Sequence, residues 1–161
     1  MKILCVAEKP SIAKAVSQIL GGGHMTTSDT RIRFIKNYKF TTRLPDWGDC
    51  DVTFTSVAGH LTETDFDEHH RKWTQCAPVA LFEARIVEKI PDGSKGIYDN
   101  IVKEARQARG LFIWTDCDRE GEHIGSEIEN AARKGNAQIQ VKRAKFNNLE
   151  RAYGFWRTRL I

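Results

Sequence analysis

The sequence predicts an α/β domain with a mainly parallel central sheet flanked by helices. Two short apolar runs, Ile3–Ala7 and Leu111–Trp114, have the length and composition of strands buried on both faces. Each is followed by a helical pattern, and strand and helix signals alternate through the chain. That alternation favours right-handed crossovers onto a parallel sheet, with ligands beyond the carboxyl ends of the strands.

The elements follow in order. After Ile3–Ala7, Pro10-Ser11 opens a helix, because proline is tolerated in the first turn where its missing N–H costs nothing. Ile12, Val16, Ile19 and Leu20 lie at helical spacing, and Gly21-Gly22-Gly23 ends the run. The polar stretch from His24 to Asp49 reads as a mostly irregular or hairpin-like insertion. Val52–Val57 is β-branched and aromatic, hence a strand. Gly59 ends it, and an acidic, His-rich loop follows to about Trp73. A short strand is expected within Leu81–Ile90, and a helix from Gly96 to Arg109 with Gly110 as its C-cap. Beyond Leu111–Trp114 come a helix over Glu120–Arg133 and a strand at Ile139–Val141. Asn147 with Glu150 three residues on resembles a capping box opening a last helix.

The chain has 161 residues, enough for one domain with its own core, and 29% of them are charged. No apolar run approaches the length needed to cross a bilayer, so no membrane association is expected. The start reaches an acid at Glu8, too soon for a secretory signal, and an intracellular location is expected. Cys5, Cys50, Cys76 and Cys117 form no C-x-x-C pair, which argues against a cysteine zinc site. His69-His70 beside Asp65, Asp67 and Glu68 suits a solvated polar loop better than a metal site. Net charge is +4, unevenly spread: residues 131–161 hold eight basic residues against one acid. Such a basic end suits a polyanion partner, though a solvated basic helix explains it equally well.

Two acidic sites fall where the fold would place chemistry. Glu8 directly follows the first apolar strand, and Asp116, Asp118 and Glu120 directly follow the second. Alternate spacing puts Asp116 and Asp118 on one side of an extended segment, with Glu120 where the chain turns helical. If the two strands are neighbours, four carboxylates meet. Their mutual repulsion calls for a cation, and oxygen donors without His or Cys favour Mg²⁺ over zinc. Mg²⁺ held this way suits phosphoryl transfer or phosphodiester cleavage, with Lys9 available to a phosphate. An acidic helix N-terminus alone would account for Glu120 and Glu122, but not for Asp116, Asp118 or Glu8.

Glu8-Lys9-Pro10-Ser11, taken with Asp116-Cys117-Asp118-Arg119-Glu120-Gly121-Glu122, resembles the TOPRIM module of type IA DNA topoisomerases, a Rossmann-like fold. Ile12-Ala13-Lys14, Ser56-Val57-Ala58-Gly59-His60-Leu61, Leu81-Phe82-Glu83-Ala84 and Arg143-Ala144-Lys145-Phe146 point to the eukaryotic topoisomerase III branch. The resemblance covers residues 1–150 as a TOPRIM domain, with 151–161 the start of a following segment, truncated or divergent.

The resemblance implies roles residue by residue. Glu8 would pass a proton to or from the leaving 3′ oxygen, and Lys9 would contact the scissile phosphate. Asp116, Asp118 and Glu120 would hold Mg²⁺, with Glu8 close enough to share it. Lys9, His60, Arg119 and Arg143 would face the DNA. The implied activity is Mg²⁺-dependent breakage and rejoining of single-stranded DNA with strand passage, relaxing negative supercoils and resolving recombination intermediates. The implied location is the nucleus, with a RecQ-family helicase and an OB-fold accessory protein as partners of the complete enzyme. The attacking tyrosine of such enzymes lies in a Tyr-Pro-Arg-Thr-like context that is absent here. Tyr38, Tyr98 and Tyr153 read as packing or surface residues, so the 161 residues are expected to be inactive alone. A stand-alone TOPRIM nuclease or primase-like enzyme, and a non-catalytic DNA-binding module, remain alternatives on the residues alone.

Overall fold

A computed structural model describes residues 1–44, 46–72, 74, 76–145 and the backbone of 158–159. Six of the elements lie along the central crossovers: β1 (Lys2–Ala7), α1 (Pro10–Leu20), β4 (Gly48–Ser56), α2 (Asp92–Ala105), β7 (Gly110–Trp114) and α3 (Arg119–Gly135). The remaining strands are β2 (Thr26–Asp29), β3 (Lys36–Leu44), β5 (Glu63–Phe66), β6 (Ile86–Lys89), β8 (Gln140–Ala144) and β9 (Thr158–Arg159). The main sheet has the order β2-β3-β4-β1-β7-β8-β9. Its four central strands, β4, β1, β7 and β8, run parallel, while β2, β3 and β9 add antiparallel edges.

The alternation of β1 divides the core in two. Leu4 and Val6 point to the α2–α3 side, packing with Ile97, Ile101, Leu111, Ile113, Ile124 and Ile128. Ile3, Cys5 and Ala7 point to the α1 side, with Val16, Phe54, Phe112 and Trp114. Both faces of β1 and β7 are therefore dry, which is why these strands read as unbroken apolar runs. Connections leave β1 toward β4 over the α1 face and β7 toward β8 over the α3 face. The adjacent strands β1 and β7 thus form a switch point, the place where such sheets put their ligands beyond the carboxyl ends of the strands.

Several expectations are narrowed or corrected. Of the two readings of residues 24–49, mostly irregular or hairpin-like, the hairpin is the one formed: β2 and β3 pair antiparallel, and β3 pairs with β4 from Tyr38↔Phe54 to Leu44↔Gly48. Tyr38, Phe40 and Leu44 are buried while Lys39, Thr41 and Arg43 are exposed, a period-two pattern diluted by polar residues. The acidic loop after Gly59 contains β5, which pairs with β6. Its charges are matched across the ribbon, since Lys89 Nζ lies 2.8 Å and Arg71 Nε 2.8 Å from Asp65 Oδ2. Gly110 does not cap α2, which ends at Ala105 with Arg106 in helical conformation. Gly110 opens β7, where an added Cβ would sit 2.7 Å from Ile3 Cδ1 and 3.0 Å from the Trp47 ring. It supplies room rather than conformational freedom. The expected helix at Asn147 lies outside the described residues, as does Tyr153. No helix among the described residues is long and apolar enough to cross a membrane.

Candidate metal centre

Of the four acids singled out from the sequence, the ends of β1 and β7 bring Glu8 and Asp116 together; Asp118 and Glu120 lie further along and do not join them in one close group among the described residues. Parallel pairing aligns Ala7 with Trp114, and the Glu8 N–H donates to the Trp114 carbonyl at 3.0 Å. Glu8 is 7% exposed, and its Oε2 accepts the Asp116 backbone N–H at 3.1 Å. Lys9 bridges the two acids: its Nζ lies 3.7 Å from Glu8 Oε1 and 3.5 Å from Asp116 Oδ2. Asp116, and after it Glu8, hold the Lys9 ammonium above its usual pKa, so the cation stays charged.

The loop after β7 is shaped by its own short-range bonds. Asp118 is the N-cap of α3, its Oδ1 accepting the Gly121 N–H at 2.6 Å. Gly121 lies against the loop so closely that a Cβ there would stand 2.0 Å from the Asp116 carbonyl oxygen. The same carbonyl accepts Arg143 Nη2 at 2.6 Å, and Arg143 Nη1 pairs with Glu122. Arg143 is only 6% exposed, so its fork is committed to the loop from within rather than presented to solvent. Lys142 is likewise turned inward, 3.0 Å from Asp46 Oδ2 and 4.8 Å above the Trp47 ring. The basic C-terminal stretch is therefore partly structural. Arg119 is exposed at the first residue of α3.

His60 reaches the centre from the loop after β4. Its Nε2 is 3.9 Å from Glu120 Oε1, and its Nδ1 is 3.1 Å from Glu127 Oε1. Glu127 is 4% exposed and also accepts the Leu61 N–H at 2.9 Å and the Thr62 hydroxyl at 2.9 Å. His123, one turn before it on α3, completes a small group with the His60 ring, their centroids 4.9 Å apart. Neither Glu127 nor His123 stands out in the sequence as chemistry. The inward phase of Glu127, flanked by Ile124, Ile128 and Ala131, is the signal that would have marked it. His69 and His70 stay apart from this group, with His70 Nδ1 bonded to Asp67 at 2.7 Å.

Glu8 and Asp116 are thus neighbours across the switch point, with Asp118 and Glu120 on the following turn. Asp118 is occupied with capping and Glu120 faces His60. The donor set is all carboxylate and already gathers one cation, Lys9, between two of its members. Hard oxygen donors of this kind fit Mg²⁺. The amino ends of α1 and α3 begin immediately after the two strand ends, adding two partial positive charges suited to phosphate.

The Toprim domain family matches residues 3–149. The chain is 53% identical over 154 residues to DNA topoisomerase 3 of Schizosaccharomyces pombe, covering 95% of the chain and 25% of that relative. It is 52% identical over 160 residues to DNA topoisomerase 3 of Saccharomyces cerevisiae, covering 95% and 24%. With human DNA topoisomerase 3-alpha it shares 41% over 149 residues, covering 92% and 15%. The chain spans about a quarter of the length of the two yeast relatives. Sequence match, parallel sheet and acidic switch point agree, and the chain belongs to the Toprim domain family.

Proposed function

We propose that this chain is the Toprim part of a type IA DNA topoisomerase of the topoisomerase III kind, acting on single-stranded DNA in the nucleus. The observation that carries the reading is the placement of buried Glu8 against Asp116, with Lys9 between them, at the carboxyl ends of β1 and β7. Asp116, Asp118 and Glu120, with Glu8 beside them, are the residues that would hold Mg²⁺. When bound, the ion would counter charge on the reacting phosphate oxygens. Glu8 is fixed by the Asp116 amide and has its Oε1 turned toward Lys9, so it can exchange a proton with the leaving 3′ oxygen. Lys9, exposed and charged, meets the scissile phosphate, and Arg119 and His60 line the approach of the strand. Arg143 serves this site from behind by holding the Asp116 carbonyl.

Neither described tyrosine reaches the centre: Tyr38 is buried in the α1-side core and Tyr98 packs against the α2–α3 core. Among the described residues no tyrosine is placed to attack, and we propose that the nucleophile comes from outside these 161 residues, with strand passage, relaxation and resolution of recombination intermediates belonging to the complete enzyme. The helicase and OB-fold partners implied by the resemblance are proposed at that same level.

The test is a chimaera in which this chain replaces the Toprim segment of the fission yeast relative. Relaxation of negatively supercoiled plasmid with Mg²⁺, abolished by EDTA and by Asp116→Asn, is the expected result. A folded chimaera that is inactive where the host segment works would overturn it. The isolated chain is expected to leave plasmid unchanged. Mg²⁺-dependent nicking would favour a nuclease instead, and a ladder of topoisomers would refute the external tyrosine.

A further inference from the structure

We propose that His60, His123 and Glu127 form a second cation site, for a borderline transition metal of the Zn²⁺ type. The proposal stands on these three residues and not on the topoisomerase reading. One donor atom from each lies within 4.8 Å of the others. His123 and Glu127 are one turn apart on α3, with Nε2 3.6 Å from Oε1, and the chain after β4 brings His60 Nδ1 to 3.1 Å from the same oxygen. Two imidazoles and a carboxylate are a donor set that zinc accepts and Mg²⁺ does not favour. The acidic cluster next door has the opposite preference.

The carboxylate is already oriented. Glu127 has a side-chain exposure of 3%, and the Leu61 N–H and Thr62 hydroxyl fix its two oxygens. Such outer contacts aim a ligand and reduce the ordering that binding must impose. A dication held between the imidazoles would place a positive charge directly against this buried carboxylate. The imidazoles are 39% and 65% exposed, which leaves an open path for the ion and room for water as a further ligand. Glu120 Oε1, 3.9 Å from His60 Nε2, borders the site and links it physically to the acidic cluster.

Co²⁺ is the probe, titrated into the metal-free chain in excess Mg²⁺ so that the acidic cluster is already engaged. One Co²⁺ per chain with a ligand-field absorption is expected, displaced by Zn²⁺ and not by more Mg²⁺. His123→Ala and His60→Ala, both at exposed side chains, should each weaken binding by more than about tenfold, since even outer partners of a metal site can cost that much. His70→Ala and Cys117→Ser should bind as the parent does. Parent-like Co²⁺ affinity in His123→Ala, or loss of the signal in Cys117→Ser, would overturn the proposal.

Discussion

Gly121 shows how closely the acidic loop is built. Its missing side chain lets the first turn of α3 rest on the Asp116 carbonyl, where a Cβ would stand 2.0 Å from oxygen and 2.8 Å from carbon. Backbone cannot rotate away as a side-chain tip can, so Gly121→Ala must displace Asp116 and the Arg143 contact together. The expected loss is about 1–3 kcal/mol, the usual cost of overpacking, read by urea denaturation with an unchanged m-value. Lys9 makes a different kind of contribution. Asp116 first, then Glu8, raise its pKa, so its ion pairing is fully present below the unfolded value of about 10.4. The contribution disappears as pH climbs through the higher native value. With a side chain 57% exposed, solvent keeps it small. The stability gap between the parent and Lys9→Ala should be flat from pH 7 to about 10 and shrink above that; a gap that widens there would contradict the assignment.

The elements are tied to one another by a few buried polar groups as well as by apolar packing. Asn100 on α2 and Asn37 on β3 exchange side-chain hydrogen bonds at 2.9 and 3.0 Å, and Asn100 also donates to Thr55 on β4 at 3.2 Å. Asn100→Ala would strand the amide of Asn37, which is 4% exposed, at a cost of about 1–3 kcal/mol. Thermal denaturation checks this, and replacing both asparagines by apolar residues should cost less than the two single losses added together. This network was illegible in the sequence because Asn37 sits in a polar stretch that reads as loop and Asn100 is a lone polar residue within the expected helix. The same bias left β3 legible only as one of two readings, because Lys39, Thr41 and Arg43 on its exposed face outweigh Tyr38, Phe40 and Leu44. By contrast β1, β7 and α1 were legible, since double-sided burial and Pro10 leave direct marks. Glu8 and Asp116 were legible as strand-end acids. The Glu127 group was not, because one carboxylate on a charged helix is ordinarily solvated.

At the scale of the whole molecule, the doubly wound sheet brings together residues 108 positions apart in sequence, Glu8 and Asp116, and orders their surroundings. Assembling like charges at one switch point opposes folding, while a cation bound there favours it, so the native state should be linked to Mg²⁺. At ten times the dissociation constant, mass action adds about 1.4 kcal/mol, which for a chain of this size corresponds to a rise in Tm of about 3–6 °C. EDTA should remove the rise. Asp116→Asn tests its origin, because it deletes one ligand and one of the repelling charges together. Its Tm in EDTA should fall little or increase, while its response to Mg²⁺ should be lost. His123→Ala should leave the Mg²⁺ response intact, since imidazole nitrogen is a poor partner for that ion. A Tm that ignores Mg²⁺ in the parent chain would mean that the carboxylates form no preorganised site within these 161 residues, and that under the proposed function the ion would be captured only with further oxygens from outside them.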